Sequence, residues 1–299
     1  MNSIVISNLK KLYNTETVLE IDDLRIMEGE IVAILGKNGS GKSTLVKIIS
    51  GLLYQDTGEI SVFDIDNKDK KMRNITKFVQ ESGKGYYDYL TSLENIRYFL
   101  GLNKIKMDAV KVELEDLINR FEFGEHLDKK VSELSQGNRQ KLSIIISLLT
   151  DPKVLLLDEP TNGLDLVTSD FLLNNLKKIS NKKNRTIILT THDLAFIKNL
   201  DVRCIILKDG LIIADDYIYN LIEDKGSKKY KIVIPMSDLN SLEELKIDNI
   251  RYAYDRDRVV AQVYEEDDKD LIVKNLNIQE FYSENLDIED IYYRVISYE

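Results

Sequence analysis

Short uninterrupted apolar runs alternate with helical-period segments over the first two thirds of the chain. Ile31-Val32-Ala33-Ile34-Leu35, Val154–Leu157 and Thr186–Leu189 each read as a strand buried on both faces. Between them, Ser43 to Ser50, closed by Gly51, predicts a helix. Thr168–Ile179 predicts another, with Leu172, Leu173, Leu176 and Ile179 at helical spacing. Strands alternating with helices predict an α/β fold whose parallel sheet is covered on both faces. From about residue 85 to 150 the strand signals stop. Leu93–Leu102, Ala109–Phe121 and Asn138–Thr150 predict three successive helices there, a helical subdomain inserted into the α/β core.

The pattern changes again after the charged stretch Glu223-Asp224-Lys225-Gly226-Ser227-Lys228-Lys229, which reads as a linker. Tyr230–Ile234 predicts a strand and Asp238–Leu245 a short helix. Ile250–Tyr254 and Val259–Tyr264 predict a hairpin across Asp255-Arg256-Asp257, followed by a helix at Asp267–Lys274 and a strand at Ile278–Tyr282. That βαββαβ order fits a small ferredoxin-like α+β domain. A final helix would carry Ile288, Ile291, Tyr292 and Val295 on one face. The expected domains are therefore residues 1–224 and 225–299.

Composition narrows the function classes. The 299 residues suit two domains, and 43% hydrophobic with 31% charged residues suits a soluble protein with a real core. A net charge of −10 makes a nucleic-acid-binding surface unexpected. The single cysteine, Cys204, lies in the run Cys204-Ile205-Ile206-Leu207, so a buried strand position is expected and no disulfide can form within one chain. The N-terminus shows no signal-peptide pattern, and no run approaches the ~20 apolar residues that span a bilayer. Any service to a membrane is expected from the cytoplasmic side, through a partner.

Candidate chemistry begins at Gly36-Lys37-Asn38-Gly39-Ser40-Gly41-Lys42-Ser43, followed by Thr44. It matches G-x-x-x-x-G-K-[ST] between a predicted strand and a predicted helix, the context that motif requires. Glycines let backbone N–H groups converge on phosphate oxygens, and the helix N-terminus favours an anion. Lys42 is expected to reach the β- and γ-phosphates of a nucleotide and Ser43 to hold Mg²⁺. Val154-Leu155-Leu156-Leu157-Asp158-Glu159 is an apolar strand ending in two carboxylates, where ligands bind in open α/β sheets. Asp158 is expected to orient Mg²⁺ and Glu159 to accept a proton from the attacking water.

Leu134-Ser135-Gln136-Gly137-Asn138 resembles the signature of ABC ATPases, usually written LSGGQ. Gln80 after an apolar strand, Gly163-Leu164-Asp165 after the carboxylates and His192 at a strand end complete the family's set in its chain order. The resemblance covers roughly residues 1–222. It implies a P-loop NTPase core with an N-terminal antiparallel β part and the inserted helical subdomain. It also implies an ATP hydrolase that works as a head-to-tail dimer with a second ATPase subunit and an integral membrane permease. Position by position, Tyr13 matches the aromatic that stacks on adenine. Gln80 matches the residue that touches Mg²⁺ and the attacking water, and His192 the histidine on the γ-phosphate. Asp165 matches the loop crossing the dimer interface. Ser135 and Gly137 match the positions that bind the γ-phosphate held by the opposite subunit. Gln136 and Asn138 depart from the consensus, which bears on rate more than on mechanism.

The tyrosine-rich Gly85-Tyr86-Tyr87-Asp88-Tyr89-Leu90 falls where the family receives its membrane partner, although tyrosines also pack within their own domain. The extra C-terminal domain resembles that of drug- and bacteriocin-type exporter ATPases. Two alternatives stand beside the transporter reading: a soluble ABC ATPase working on nucleic acid, the ribosome or cofactor assembly, and a regulatory or binding protein that holds ATP but hydrolyses it poorly. The single phosphate loop disfavours the first, because translation factors of this kind carry two. Glu159 and His192 disfavour the second. His126, outside any motif, is expected at the surface.

Overall fold

A computed structural model describes residues 1–81, 85–162, 164, 166–192, 194, 197, 202–217, 220–221, 228–248 and 250–297. The chain forms two compact units, Met1–Asp215 and Asp216–Glu299. The division comes ahead of the 224/225 boundary read from the charged stretch, most of which lies outside the described residues.

In the first unit, β1 (Asn2–Tyr13) and β2 (Glu16–Met27) form a long antiparallel hairpin. Its two-residue turn begins at Asn14, whose φ of 56° suits an asparagine. With β4 (Thr57–Val62) and β5 (Ile65–Asp66) it makes a four-stranded sheet in the order β2-β1-β4-β5. A second sheet contains β3 (Ile31–Leu35), β6 (Thr76–Val79), β7 (Val154–Asp158), β8 (Thr186–Thr191), β9 (Arg203–Lys208) and β10 (Leu211–Tyr217). Its order is β10-β9-β3-β8-β7-β6, parallel from β9 to β6. Every residue of β7 and β8 is buried, in keeping with the apolar runs Val154–Leu157 and Ile187–Leu189 that they carry. Ile34, Leu156, Ile188 and Ile205 share one core with Ile4, Ile6, Leu19 and Leu24 of the antiparallel sheet. Each such side chain contributes roughly 1.5–3 kcal/mol by leaving water. Cys204 is buried in β9.

Helix α1 (Lys42–Ile49) follows β3, and the short α2 (Met72–Ile75) precedes β6. Helices α3 (Ser92–Leu102), α4 (Met107–Arg120) and α5 (Gln136–Leu149) fill the chain between β6 and β7. The first is set by a capping box, Thr91 and Glu94 each bonding the other's backbone N–H. The stretches that flank α3 and α4 are stitched together by backbone hydrogen bonds. Ser92 N–H donates to Lys129 and Leu93 N–H to Leu127, while Val131 N–H donates to Leu90 and Ser132 N–H to Asp88, each at 3.0 Å. Helix α5 starts two residues earlier than its periodicity suggests, because Ser135 caps it by accepting from the Asn138 N–H at 3.3 Å. Helix α6 (Leu166–Lys183) leads into β8.

The second unit has the expected βαββαβ order. It runs through β11 (Lys228–Pro235), α7 (Leu239–Glu244), β12 (Arg251–Asp255), β13 (Arg258–Val263), α8 (Glu266–Asn275) and β14 (Glu280–Asn285). The antiparallel sheet runs β12-β13-β11-β14. Ile232, Ile234, Val259, Ala261 and Val263 make its core with Leu242 of α7 and Ile272 of α8. A last helix, α9 (Ile288–Ser297), ties to the sheet through buried Asp290, which accepts from Lys229 at 2.6 Å and Gln262 at 2.7 Å.

Candidate functional site

The site is built where β3, β7 and β8 end at their carboxyl edge. After Leu35 the chain turns through Gly36–Gly41 into α1, with φ of 87° at Gly39 and 103° at Gly41, values that favour glycine. At Gly36 the constraint is contact: a Cβ would stand 2.5 Å from the Leu207 carbonyl oxygen and 2.3 Å from Ser40 Oγ. Gly36, Lys37 and Ser40 thus shape the loop from behind. Asn38, Gly39, Gly41, Lys42, Ser43 and Thr44 line a cavity of about 480 Å³, which Tyr13, Glu159 and His192 also face.

Lys42 is 5% exposed, and its ammonium donates to the carbonyls of Gly36 at 2.7 Å and Lys37 at 3.2 Å. It lies 3.6 Å from Glu159 Oε1. Ser43 Oγ donates to Asp158 Oδ1 at 2.9 Å. A hydroxyl and a carboxylate side by side are hard oxygen donors, the set that suits Mg²⁺ with most of its water retained. Glu159 follows β7 with φ of 46°, a strained backbone for a non-glycine residue, held in place by its surroundings. Its N–H donates to Thr190 Oγ1 at 3.0 Å, and Thr190 Oγ1 donates in turn to Asp158 Oδ1 at 2.7 Å. His192 Nδ1 is 3.0 Å from Glu159 Oε2. The cavity therefore sets a buried ammonium and a glycine-rich helix N-terminus against a carboxylate with its histidine. It can bind a polyanion and offer a base beside it.

Not every expected residue faces this cavity. Gln80 is exposed and absent from its lining, where the next residue, Glu81, stands instead. The Glu81 carboxylate accepts from Asn162 Nδ2 at 2.5 Å. Ser135, Gln136, Gly137 and Asn138 also lie off the lining, at the start of α5. Gln136 Nε2 donates to the Asn162 carbonyl at 2.8 Å, and a Cβ at Gly137 would stand 3.2 Å from Leu164 Cδ2. Asp165 and Gly163 lie outside the described residues. His126 is not a bare surface residue: its Nε2 meets Asn138 Nδ2 at 3.1 Å, and its ring tilts against Phe123. Partial burial and nearby Lys129 lower its pKa.

Thr190, Glu81 and Asn162 were missed by motif reading. A faint signal existed for Thr190, a polar residue at the end of a buried strand two positions before His192. The tyrosine segment divides by face. Tyr86 turns inward, edge-on to Phe99 at 5.0 Å, and burial pushes its hydroxyl up to about 12. Tyr89 and Tyr98 are 68% and 40% exposed. Tyr87 bonds Tyr98 OH to OH at 3.0 Å.

Comparison with known proteins agrees with this geometry. The family model for the ABC transporter matches residues 19–162. The tyrosine transport ATP-binding protein of Clostridioides difficile is 36% identical over 228 residues, covering 70% of this chain and 90% of that protein. The methionine import ATP-binding protein MetN of Clostridium acetobutylicum is 30% identical over 235 residues, 77% of this chain and 73% of that one. Among solved structures, a dimeric ATP-binding cassette in a post-hydrolysis state, bound to ADP and phosphate, superposes with a TM-score of 0.64. It is 27% identical and covers 72% of this chain and 98% of that one. With the phosphate loop, the carboxylate pair and the cassette fold in agreement, the chain belongs to the ATP-binding proteins of ABC transporters and is an ATP hydrolase.

Proposed function

We propose that this chain is the energy-coupling subunit of a membrane transporter whose permease is a separate protein, docked at the cytoplasmic face of the membrane. One observation carries the reading: Lys42, Ser43, Glu159 and His192 face one cavity, while the Ser135–Asn138 segment lies off it. A cavity with a phosphate loop and a base but without its own signature residues calls for a second subunit to complete it.

In this reading Lys42 and the loop N–H groups hold the β- and γ-phosphates of ATP, and Tyr13 stacks on the base. Ser43 and Asp158 would hold Mg²⁺, which when bound would supply charge neutralisation on the phosphates. Glu159 accepts the proton of the attacking water, and His192 orients that carboxylate. Ser135 and Gly137 of the opposite subunit close over the γ-phosphate, with Asp165 crossing between the two. Gln80 reports on the permease, and the exposed Tyr89 and Tyr98 belong to the surface that receives it.

Export is our reading of the direction, supported by the small α+β unit that follows the cassette. The substrate is read by the permease. The test is co-purification of the tagged chain with the product of a neighbouring gene that encodes about six spanning segments. Vesicles carrying both should hydrolyse ATP faster than the free chain. A chain that recovers no membrane protein, and whose hydrolysis no permease alters, would sink the proposal.

A further inference from the structure

The antiparallel sheet of the second unit ends in two edge strands of different character. Edge strands expose unpaired backbone groups, and natural proteins blunt them with charge unless they are used. On β14, a twofold axis through Tyr282 would set Glu280 against Glu284 of a second copy. Both carboxylates are already paired within their own sheet, with Arg258 at 2.9 Å and Lys231 at 2.8 Å. That edge repels itself.

The other edge does the opposite. β12 reads Arg251-Tyr252-Ala253-Tyr254-Asp255, a sequence that is its own chemical complement when reversed about Ala253. Antiparallel pairing with a second β12 about that residue sets each Arg251 across from an Asp255 and each Tyr252 across from a Tyr254. The side chains fall on matching faces. Arg251, Ala253 and Asp255 share the face of the sheet that carries Asp290, 3.9 Å from the Arg251 guanidinium. Tyr252 packs against the core on the other face, where Tyr254 is 61% exposed. Among the described residues Asp255 makes no ion pair, and the Arg251 side chain is 41% exposed. Opposite charges and aromatic pairs directly across two antiparallel strands both stabilise a sheet.

We propose that two copies of this chain associate through their β12 edges, joining the four-stranded sheets of their C-terminal units into one of eight strands. This contact is separate from the ATP-dependent contact of the first units and needs no nucleotide. One five-residue strand buries little area, so the free chain should dimerise weakly, with a Kd on the order of micromolar to tens of micromolar. Between two copies already held on one transporter, the same contact acts at a high effective concentration.

The experiment is sedimentation velocity on the full chain without nucleotide, from about 1 to about 200 µM, a range that brackets weak interfaces of this size. The wild type should pass from monomer to dimer. Ala253→Lys, which sets like charges across the twofold, and Asp255→Arg should each raise Kd by about tenfold or more. The double exchange Arg251→Asp with Asp255→Arg restores opposite charges in reversed order and should recover most of the wild-type affinity. A monomer throughout would overturn the proposal, as would a dimer that neither single change weakens, or a double exchange that stays monomeric with intact circular dichroism. Lys42→Ala should dimerise like wild type, so loss of nucleotide binding and loss of this contact read out separately.

Discussion

Thr190→Val is the sharpest probe of how the carboxylate pair is held. The change keeps the shape of a side chain that is 0% exposed and removes only a hydroxyl. That hydroxyl accepts from the Glu159 N–H at 3.0 Å and donates to Asp158 at 2.7 Å. Losing a hydrogen bond to a charged group costs about 1.5–3 kcal/mol, and a buried N–H left without an acceptor costs about 1–3 kcal/mol. Valine's extra apolar burial offsets part of this, so a net loss of about 3 kcal/mol is expected. For a unit the size of the ATPase portion that is a fall in Tm of roughly 6–12 °C. Because Glu159 sits at φ 46° and Thr190 secures its backbone, kcat should also drop, by about tenfold or more. Thermal denaturation followed by circular dichroism and steady-state phosphate release measure the two effects. Thr190→Ser, which keeps the hydroxyl, should retain most of both. A valine variant within ~0.5 kcal/mol of wild type, or a serine variant as impaired as the valine, would refute the account.

Three further outcomes follow from the same geometry. Lys42→Ala removes the only buried ammonium that lines the cavity among the described residues, so ATP affinity by calorimetry should fall about a hundredfold or more; unchanged affinity would unseat the phosphate loop. Glu159→Gln should keep ATP binding, lower turnover by about 10²–10⁴-fold and accumulate an ATP-bound dimer in size-exclusion chromatography, where undiminished phosphate release would show that the base lies elsewhere. Burial, reinforced by Asp215, pushes the Cys204 thiol up to about 12. Its folded pKa then lies above the ordinary value, so little thiolate forms at pH 8 and a disulfide reagent should react only after unfolding; rapid reaction of the native chain would contradict this burial.

The parts of the fold that could be read in advance are those whose signal is local. β3, β7 and β8 are unbroken apolar runs because both their faces are covered, and no other reading suits their length. In the second unit, the short buried run Ile232-Val233-Ile234, closed by Pro235, marks β11. The N-terminal hairpin was harder. β1 mixes buried Ile4, Ile6 and Leu9 with lysines along twelve residues, so its place came from resemblance and not from periodicity. In the site, Lys42, Ser43, Asp158 and Glu159 were legible because fixed spacing and strand ends carry them. Thr190 was not, since its value lies in reaching Asp158, 32 residues away in sequence. Nor was the exchange of Gln80 for Glu81 at the cavity, because no motif spacing marks Glu81.

The hydrogen-bonded seam between residues 88–93 and 127–132 has a consequence for how this protein can change over generations. Because the seam closes off the stretch that carries α3 and α4, the length of that stretch hardly affects the chain entropy needed to keep β6 beside β7. Residues can be added, lost or exchanged beyond the seam while the spacing of the two strands is conserved. Exposed Tyr98 sits on the variable side of that boundary, Tyr89 lies in the seam, and the carboxylate pair sits on the fixed side. The exposed surface beyond the seam can therefore drift, leaving the chemistry of the nucleotide cavity untouched.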